Sequence, residues 1–164
     1  MSFPIRQIQT KDLPSILDIQ AACYPIELHE EYDTFLAKLQ ASPETNWLIE
    51  ANGKILGYLF CHPWRGDAAP ELNRVITSCP EIPDRFYLHD LAIHPQARGQ
   101  NLSISLAHQA LQWAQQMEYQ NAMLVAVEGA EQFWQKLGFE VSQQQSASLS
   151  QYGNAKLMLK KLGV

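Results

Sequence analysis

The residues able to do chemistry in this chain concentrate in one segment, 87–103, which reads YLHDLAIHPQARGQNLS. Tyr87, His89 and Asp90 are let into an otherwise apolar strand, a proline turn leads into Arg98-Gly99, and apolar residues then recur at helical spacing. Strand, tight turn and helix start in this order build an anion site. The first turn of a helix carries N–H groups without intrahelical partners, and the helix dipole adds a partial positive charge. A phosphate or pyrophosphate is the natural ligand for residues 98–103. Just upstream, His89 is the side chain whose proton affinity suits a base near neutral pH. Strict alternation puts Tyr87, His89 and Leu91 on one face of the strand and Asp90 on the other, unless a bulge intervenes. A carboxylate in a buried strand needs partners; there Asp90 could orient an imidazole, bind a substrate or cap a helix.

The elements that must position this segment follow from periodicity. A strand is expected over 3–9, then a helix from Thr10 carrying Leu13, Ile16, Leu17 and Ile19, with Pro14 in its first turn and Pro25 ending it. A second helix is expected over 30–40, with Phe35, Leu36 and Leu39 facing inward. Strands at 46–50 and 54–61 flank Asn52-Gly53, a strong hairpin signal. Residues 62–84 hold four prolines and no clear period, so they read as a long irregular excursion, and such excursions are usually functional or mobile. The strand at 85–93 is followed by a helix whose inner face carries Leu102, Leu106, Ala110, Ala114 and Met117. The continuous apolar run 122–127 then reads as a strand buried on both faces. Strand, crossover helix and buried strand make a βαβ unit with parallel strands. A short helix over 130–137 stops at Gly138, and strands at 140–142 and 155–160 close the chain around a Gln/Ser-rich segment.

Composition narrows the function classes. The 164 residues fit a single domain, 1–164, large enough to bury a core without metal or disulfide staples. Hydrophobic residues make up 46% and charged residues 18%, a globular rather than a disordered balance. A formal net charge of -5 argues against nucleic-acid binding, which wants a basic face, and is compatible with a cationic substrate such as an amine. No apolar run is long enough to span a bilayer and the first ten residues lack a signal pattern. Three cysteines without CxxC spacing read as small core residues rather than as a disulfide framework or zinc site; no metal and a reduced cytoplasmic setting are expected.

Two motifs carry a family resemblance that covers essentially the whole chain. Residues 91–103 (LAIHPQARGQNLS) resemble the acyl-CoA loop of the GCN5-related N-acetyltransferases, and residues 133–139 (FWQKLGF) resemble that family's later Phe-Tyr-x-x-Leu-Gly-Phe helix end. The resemblance implies an α/β fold (α+β in some schemes) with a mixed central sheet of about seven strands and about four helices on both faces. It implies acetyl-CoA as co-substrate. Backbone groups of Leu91, Ala92 and Ile93 would lie along its pantetheine arm, and Arg98, Gly99, Gln100, Asn101, Leu102 and Ser103 would cradle its pyrophosphate. Asn101 and Ser103 depart from the family's Gly and Gly/Ala; Ser keeps its N–H, and Asn tolerates unusual backbone angles. In aralkylamine-type members, histidines at the positions of Tyr87 and His89 are associated with proton removal through water, and here His89 matches. The family's general acid is often a tyrosine where this chain has Trp134, which is expected beside the cofactor but has no proton to give a thiolate.

The resemblance also places the acceptor near the first two helices and the loop before the fourth strand. In 24–33 (YPIELHEEYD), Tyr24, Glu27, His29 and Glu30 form a carboxylate-and-aromatic wall suited to an alkylammonium ion. Those carboxylates equally suit a solvated helix start, and Trp64 either lines the same cleft or fills core. The expected activity is transfer of an acetyl group to a primary amine, of a small molecule first and of a protein or peptide second. A catalytically weak acyl-CoA-binding module is the reading from another class. Many relatives are dimers, which makes a homodimer the family-level expectation.

Overall fold

The structure, a computed structural model, describes residues 3–143 and 153–163. Seven strands form one mixed sheet in the order β1-β2-β3-β4-β5-β7-β6. They are β1 Ile5–Gln7, β2 Asn46–Ala51, β3 Lys54–Trp64, β4 Arg85–Ile93, β5 Asn121–Ala126, β6 Glu140–Val141 and β7 Lys156–Lys161. Four helices, α1 Leu13–Cys23, α2 Tyr32–Ala41, α3 Leu102–Gln116 and α4 Glu131–Lys136, cover both faces. The Gln/Ser-rich segment anticipated between the last two strands lies mostly outside the described residues.

Alternation along the strands feeds two cores. Leu48, Tyr58, Phe60 and Ala92 point to one face and pack with Ile16 and Ile19 of α1 and Phe35 and Leu39 of α2. Trp47, Ile49, Leu59, Phe86, Leu88 and Leu124 point to the other and pack with Leu106, Ala107, Ala110 and Ala114 of α3 and Trp134 of α4. The small residues of α3 let it lie close on the sheet. At the β2–β3 hairpin, Asn52 and Gly53 take φ of 52° and 76°, the left-handed pair that a two-residue turn demands.

Several boundaries differ from the expectation. Thr10 opens a short 3-10 turn, Thr10–Asp12, ahead of α1, and the Asp12 carboxylate accepts the Gln9 N–H at 2.7 Å and pairs with Arg6. Strand β3 continues through Pro63 to Trp64, where Pro63 pairs with Phe86 and Trp64 with Arg85. Helix α2 starts at Tyr32 rather than at Glu30, so Glu30 sits on the extended entry to the helix. The stretch 65–84 holds neither helix nor strand, as its prolines predict.

Two features of β4 create the site. Pairing with β3 runs Phe60↔Asp90 and then Cys61↔Leu88, which leaves His89 as an extra, bulged residue. Pairing with β5 is parallel and covers Phe86↔Ala122 through Leu88↔Leu124. Beyond Leu88 the two strands diverge, and a gap opens at their carboxyl ends, where ligands of open α/β sheets bind.

Candidate active site

A cleft of about 340 Å³ fills that gap, lined by β4 (Leu88 to Leu91, Ile93), by the end of β5 (Leu124, Val125), by the turn into α3 and by Phe133 and Trp134 of α4. Its size suits a small organic ligand or the end of a longer one. Two different kinds of group border it.

The first is backbone. After β4, a 3-10 turn Pro95–Ala97 leads to Arg98, and Gly99 takes φ of 85°. Asn101, the residue before α3, is left-handed at φ 60° and ψ 26°, and its side chain makes no capping hydrogen bond. This accounts for asparagine where the family pattern has glycine, since asparagine is among the few L-residues that enter this region readily. The first main-chain bond into α3 is Ser105 N–H to the Asn101 carbonyl at 3.2 Å, so the N–H groups of the first turn face outward without an intrahelical partner. Arg98, Gly99, Asn101, Leu102 and Ser103 all line the cleft. Gln100 does not: its amide turns back to the Ala97 carbonyl at 3.2 Å. Ala92 points into the α1–α2 core, leaving only its backbone for any ligand. The Leu91 carbonyl accepts the Tyr24 hydroxyl at 2.7 Å, and the Ile93 carbonyl accepts Cys23 Sγ at 3.2 Å and Arg98 Nε at 3.4 Å.

The second kind is side chain. The bulge at His89 overturns simple alternation: Tyr87, His89 and Asp90 share the α1–α2 face, and Leu91 moves to the α3 face. His89 Nε2–H donates to Glu30 Oε1 at 2.5 Å, with both side chains about 2% exposed. Glu30 Oε2 accepts Lys38 Nζ at 3.0 Å and the Asn73 N–H at 2.8 Å. Burial works against the Glu30 charge, but His89 and Lys38 outweigh it and hold the carboxyl at about 2. Asp90 accepts the Tyr58 hydroxyl at 2.9 Å, and burial raises its proton affinity above the usual aspartate range. The Tyr24 and Tyr58 hydroxyls are pushed up by burial and then by the Asp90 charge.

The acceptor residues expected from sequence separate. Tyr24 and Glu30 line the cleft, whereas Glu27, His29 and Trp64 stand outside it. Glu27 is exposed on the turn Ile26–Leu28. His29 Nε2–H bonds the Tyr24 carbonyl at 2.7 Å, and Trp64 Nε1–H bonds the Ala68 carbonyl at 2.8 Å. Glu30 differs most from the expectation of a carboxylate offered to an ammonium ion, because all its oxygen contacts go to protein donors beneath the cleft. Tyr87 is fully buried and packs with Ala69, Met123 and Leu157 rather than lining the cleft.

Two functional candidates are not among the residues singled out from sequence, although His62 falls within the 62–84 stretch expected beside the acceptor. Lys38 follows Thr34 and Phe35 by four and three positions, which puts a lysine on the buried helix face; that mismatch is a readable signal. His62, whose ring centroid is 6.3 Å from that of His89, donates Nδ1–H to the Pro63 carbonyl at 2.9 Å, and burial depresses its proton affinity to about 3. Among the described residues no helix is long and apolar enough to cross a membrane.

Comparison with known proteins bears on the whole chain. The model of the acetyltransferase (GNAT) family matches residues 13–139. No curated protein sequence matches. Among solved structures, the loading GNATL domain of CurA from Lyngbya majuscula superposes with a TM-score of 0.83 at 13% identity, covering 99% of this chain and 98% of that one. The GphF GNAT-like decarboxylase in complex with isobutyryl-CoA gives 0.80 at 15% identity, covering 97% and 99%. The ribosomal-protein-S18-alanine N-acetyltransferase from Escherichia coli gives 0.72 at 16%, covering 99% and 96%.

Proposed function

The chain belongs to the acetyltransferase (GNAT) family, and from that premise we propose that it moves the acetyl group of acetyl-CoA to the primary amine of a small molecule. The observation that carries this reading is the junction at 98–103. Left-handed Gly99 and Asn101 turn the chain so that the uncapped N–H groups of α3 open onto the same cleft that the divergence of β4 and β5 creates. N–H groups at a helix start, with Arg98 and Ser103 beside them, fit a pyrophosphate. An extended pantetheine arm fits the gap along Leu91 and Ile93.

When bound, acetyl-CoA supplies the acyl group: the bond from amine nitrogen to carbonyl carbon forms and the bond from carbon to sulfur breaks. The chain's own part is to take a proton from the ammonium ion and to favour negative charge on the carbonyl oxygen. His89 is the base in this reading. Its Nε2 is engaged by Glu30, and Nδ1 has no hydrogen-bond partner. Nδ1 lies beneath the cleft surface, so the proton reaches it through a bridging water. Backbone N–H groups near 91–93 serve the oxyanion. Trp134 lines the cleft where a tyrosine would donate to sulfur, and the thiolate leaves without that help.

A second assignment of the base has its own support. Asp90 also lines the cleft and is only partly buried by exposure, and its burial-raised proton affinity suits proton transfer better than an ordinary aspartate's. Asp90→Asn and His89→Gln separate the two.

The irregular stretch 65–84 favours a small acceptor. Asn73 Oδ1 accepts the Glu31 N–H at 3.0 Å and the Thr34 hydroxyl at 2.8 Å, and Leu72 lines the cleft. This cover over the acceptor side leaves less room for a peptide. Free-thiol release from acetyl-CoA tests the reading across polyamines, amino acids, aminoglycosides, arylalkylamines and short peptides. Release with a small amine is expected. Release with peptides alone moves the acceptor to protein, and acetyl-CoA binding by calorimetry with no release from any acceptor makes the chain a binding module.

A further inference from the structure

We propose that Glu30 and Lys38 are positioning residues that hold His89 in one tautomer, with the proton on Nε2 and the lone pair on Nδ1. The inference rests on the reading of His89 as the base and extends it to the groups behind the imidazole.

The geometry leaves little choice. Glu30 is clamped through its backbone by one side chain, Gln20, whose Nε2 donates to the Glu30 carbonyl at 2.9 Å and whose Oε1 accepts the Glu30 N–H at 2.8 Å. Its Oε2 receives two groups that can only donate, the Lys38 ammonium and the Asn73 N–H. Its Oε1 therefore faces His89 Nε2 as an acceptor, and Nε2 must carry a hydrogen. Lys38 balances the carboxylate within 3.0 Å, so the imidazole is free to be neutral while it still donates. The His62 and Tyr87 rings lie at centroid distances of 6.3 and 5.9 Å from the imidazole, and Asp90 is bonded to Tyr58.

This arrangement makes Glu30→Gln an informative change at constant volume. Two donors still converge on the Oε2 position, so the amide oxygen is held there and the amide NH2 turns to His89. Nε2 must then accept, the hydrogen moves to Nδ1, and the base is lost although its ring has not moved. Lys38→Met acts in the opposite sense. The carboxylate loses its balancing ammonium, the imidazolium form of His89 is favoured in its place, and less of the ring is available as a neutral base at a given pH.

Long-range proton–nitrogen correlation spectra of the nitrogen-15-labelled full chain, recorded from pH 6 to 8, read the tautomer directly. The wild type should show Nε2 protonated and Nδ1 bare, and Glu30→Gln the reverse. With the amine found by thiol release, Glu30→Gln should lower kcat/KM about a hundredfold with acetyl-CoA affinity changed less than about threefold. Lys38→Met should move the acid limb of the kcat/KM profile up by about one pH unit, which loss of packing alone would not do. Because Glu30→Gln leaves a buried ammonium unpaired, the double variant with Lys38→Met carries the same tautomer test without that charge. The same tautomer in wild type and both Gln variants, or a doubly protonated wild-type ring throughout, overturns the proposal. A tautomer that switches while kcat/KM stays fixed supports the positioning role and removes His89 as the base, so the two readings fail separately.

Discussion

Residues 98–103 and the His89–Glu30–Lys38 cluster border one cleft but are made of different materials. The loop offers backbone: N–H groups aimed by left-handed Gly99 and Asn101 and by the start of α3. The cluster offers side chains from three separate places, the entry to α2, the face of α2 and a bulge in β4. A backbone site accepts a small uncharged side chain that keeps the φ and the N–H, which is why Asn101 and Ser103 can stand where glycine and alanine are usual. A side-chain site depends on charge balance and on which nitrogen holds a hydrogen, so substitutions of equal size can abolish it. The difference predicts that the two halves fail in different ways, one in affinity and the other in turnover.

The largest separation should come from His89→Gln. Turnover with the true acceptor should fall by about two to three orders of magnitude while the acetyl-CoA dissociation constant stays within a few-fold. Equal loss in both would merge the halves. In the reverse direction, Gly99→Val and Ser103→Glu should weaken acetyl-CoA tenfold or more, with kcat at saturation nearly unchanged. An added Cβ at Gly99 meets no atom within 4 Å, so the substitution acts through the backbone: leaving φ 85° relieves strain of about 1–2 kcal/mol and turns the N–H groups away from the phosphate. At Ser103 the cost is repulsion between carboxylate and phosphate. Unmoved affinity in both would show that the pyrophosphate lies elsewhere.

The cluster and its buried neighbour His62 should also register in acid stability. His62 is held neutral by burial, its proton affinity falling from 6.5 to about 3. The unfolded chain therefore binds one more proton between those values. The contribution is fully present above pH 6.5 and is lost as pH falls toward 3, with a slope of up to about 1.4 kcal/mol per pH unit. Glu30, depressed from 4.5 to about 2, adds its own loss over that lower range. Denaturant titrations of His62→Gln should show a flatter dependence between pH 6.5 and 4.5; an unchanged slope would remove His62 from the account. The smallest effect belongs to Asn101→Ala, about 1 kcal/mol of stability from the left-handed residue, with Asn101→Gly neutral or slightly stabilising. A measured Asn101→Ala cost near zero would mean the turn relaxes.

How legible each half was follows from the same contrast. The β4–turn–α3 segment declares itself locally, through an apolar strand, a proline, Arg-Gly and a helical period; its strand and helix start agree with the expectation, while Met117, expected on the inner face, is exposed just past the helix end. The cluster is assembled by tertiary structure. The bulge that turns Asp90 onto the His89 face is set by the register of β4 against Phe60 and Cys61, and alternation along one strand has no access to that. Glu30 reads as an exposed helix start because acidic neighbours surround it; what buries it is the Gln20 clamp and a helix that begins two residues later. Lys38 carried a signal, a cation among Phe35 and Leu39, but a sequence does not say which carboxylate it meets. Glu27, His29 and Trp64 share the composition of the acceptor wall and lie off the cleft, since composition gives proximity in the chain and not the direction of a side chain.

In the proposed complex acetyl-CoA lies along the backbone half with its thioester toward the cluster. Amide proton–nitrogen spectra of the labelled full chain titrated with acetyl-CoA address this directly, because the N–H groups are themselves the proposed ligands. The largest shifts should fall on residues 99–104, with a second set at Leu91 and Ile93 and smaller ones at His89 and Trp134. Shifts centred elsewhere on the sheet, or saturation that leaves residues 99–104 unmoved, would contradict it.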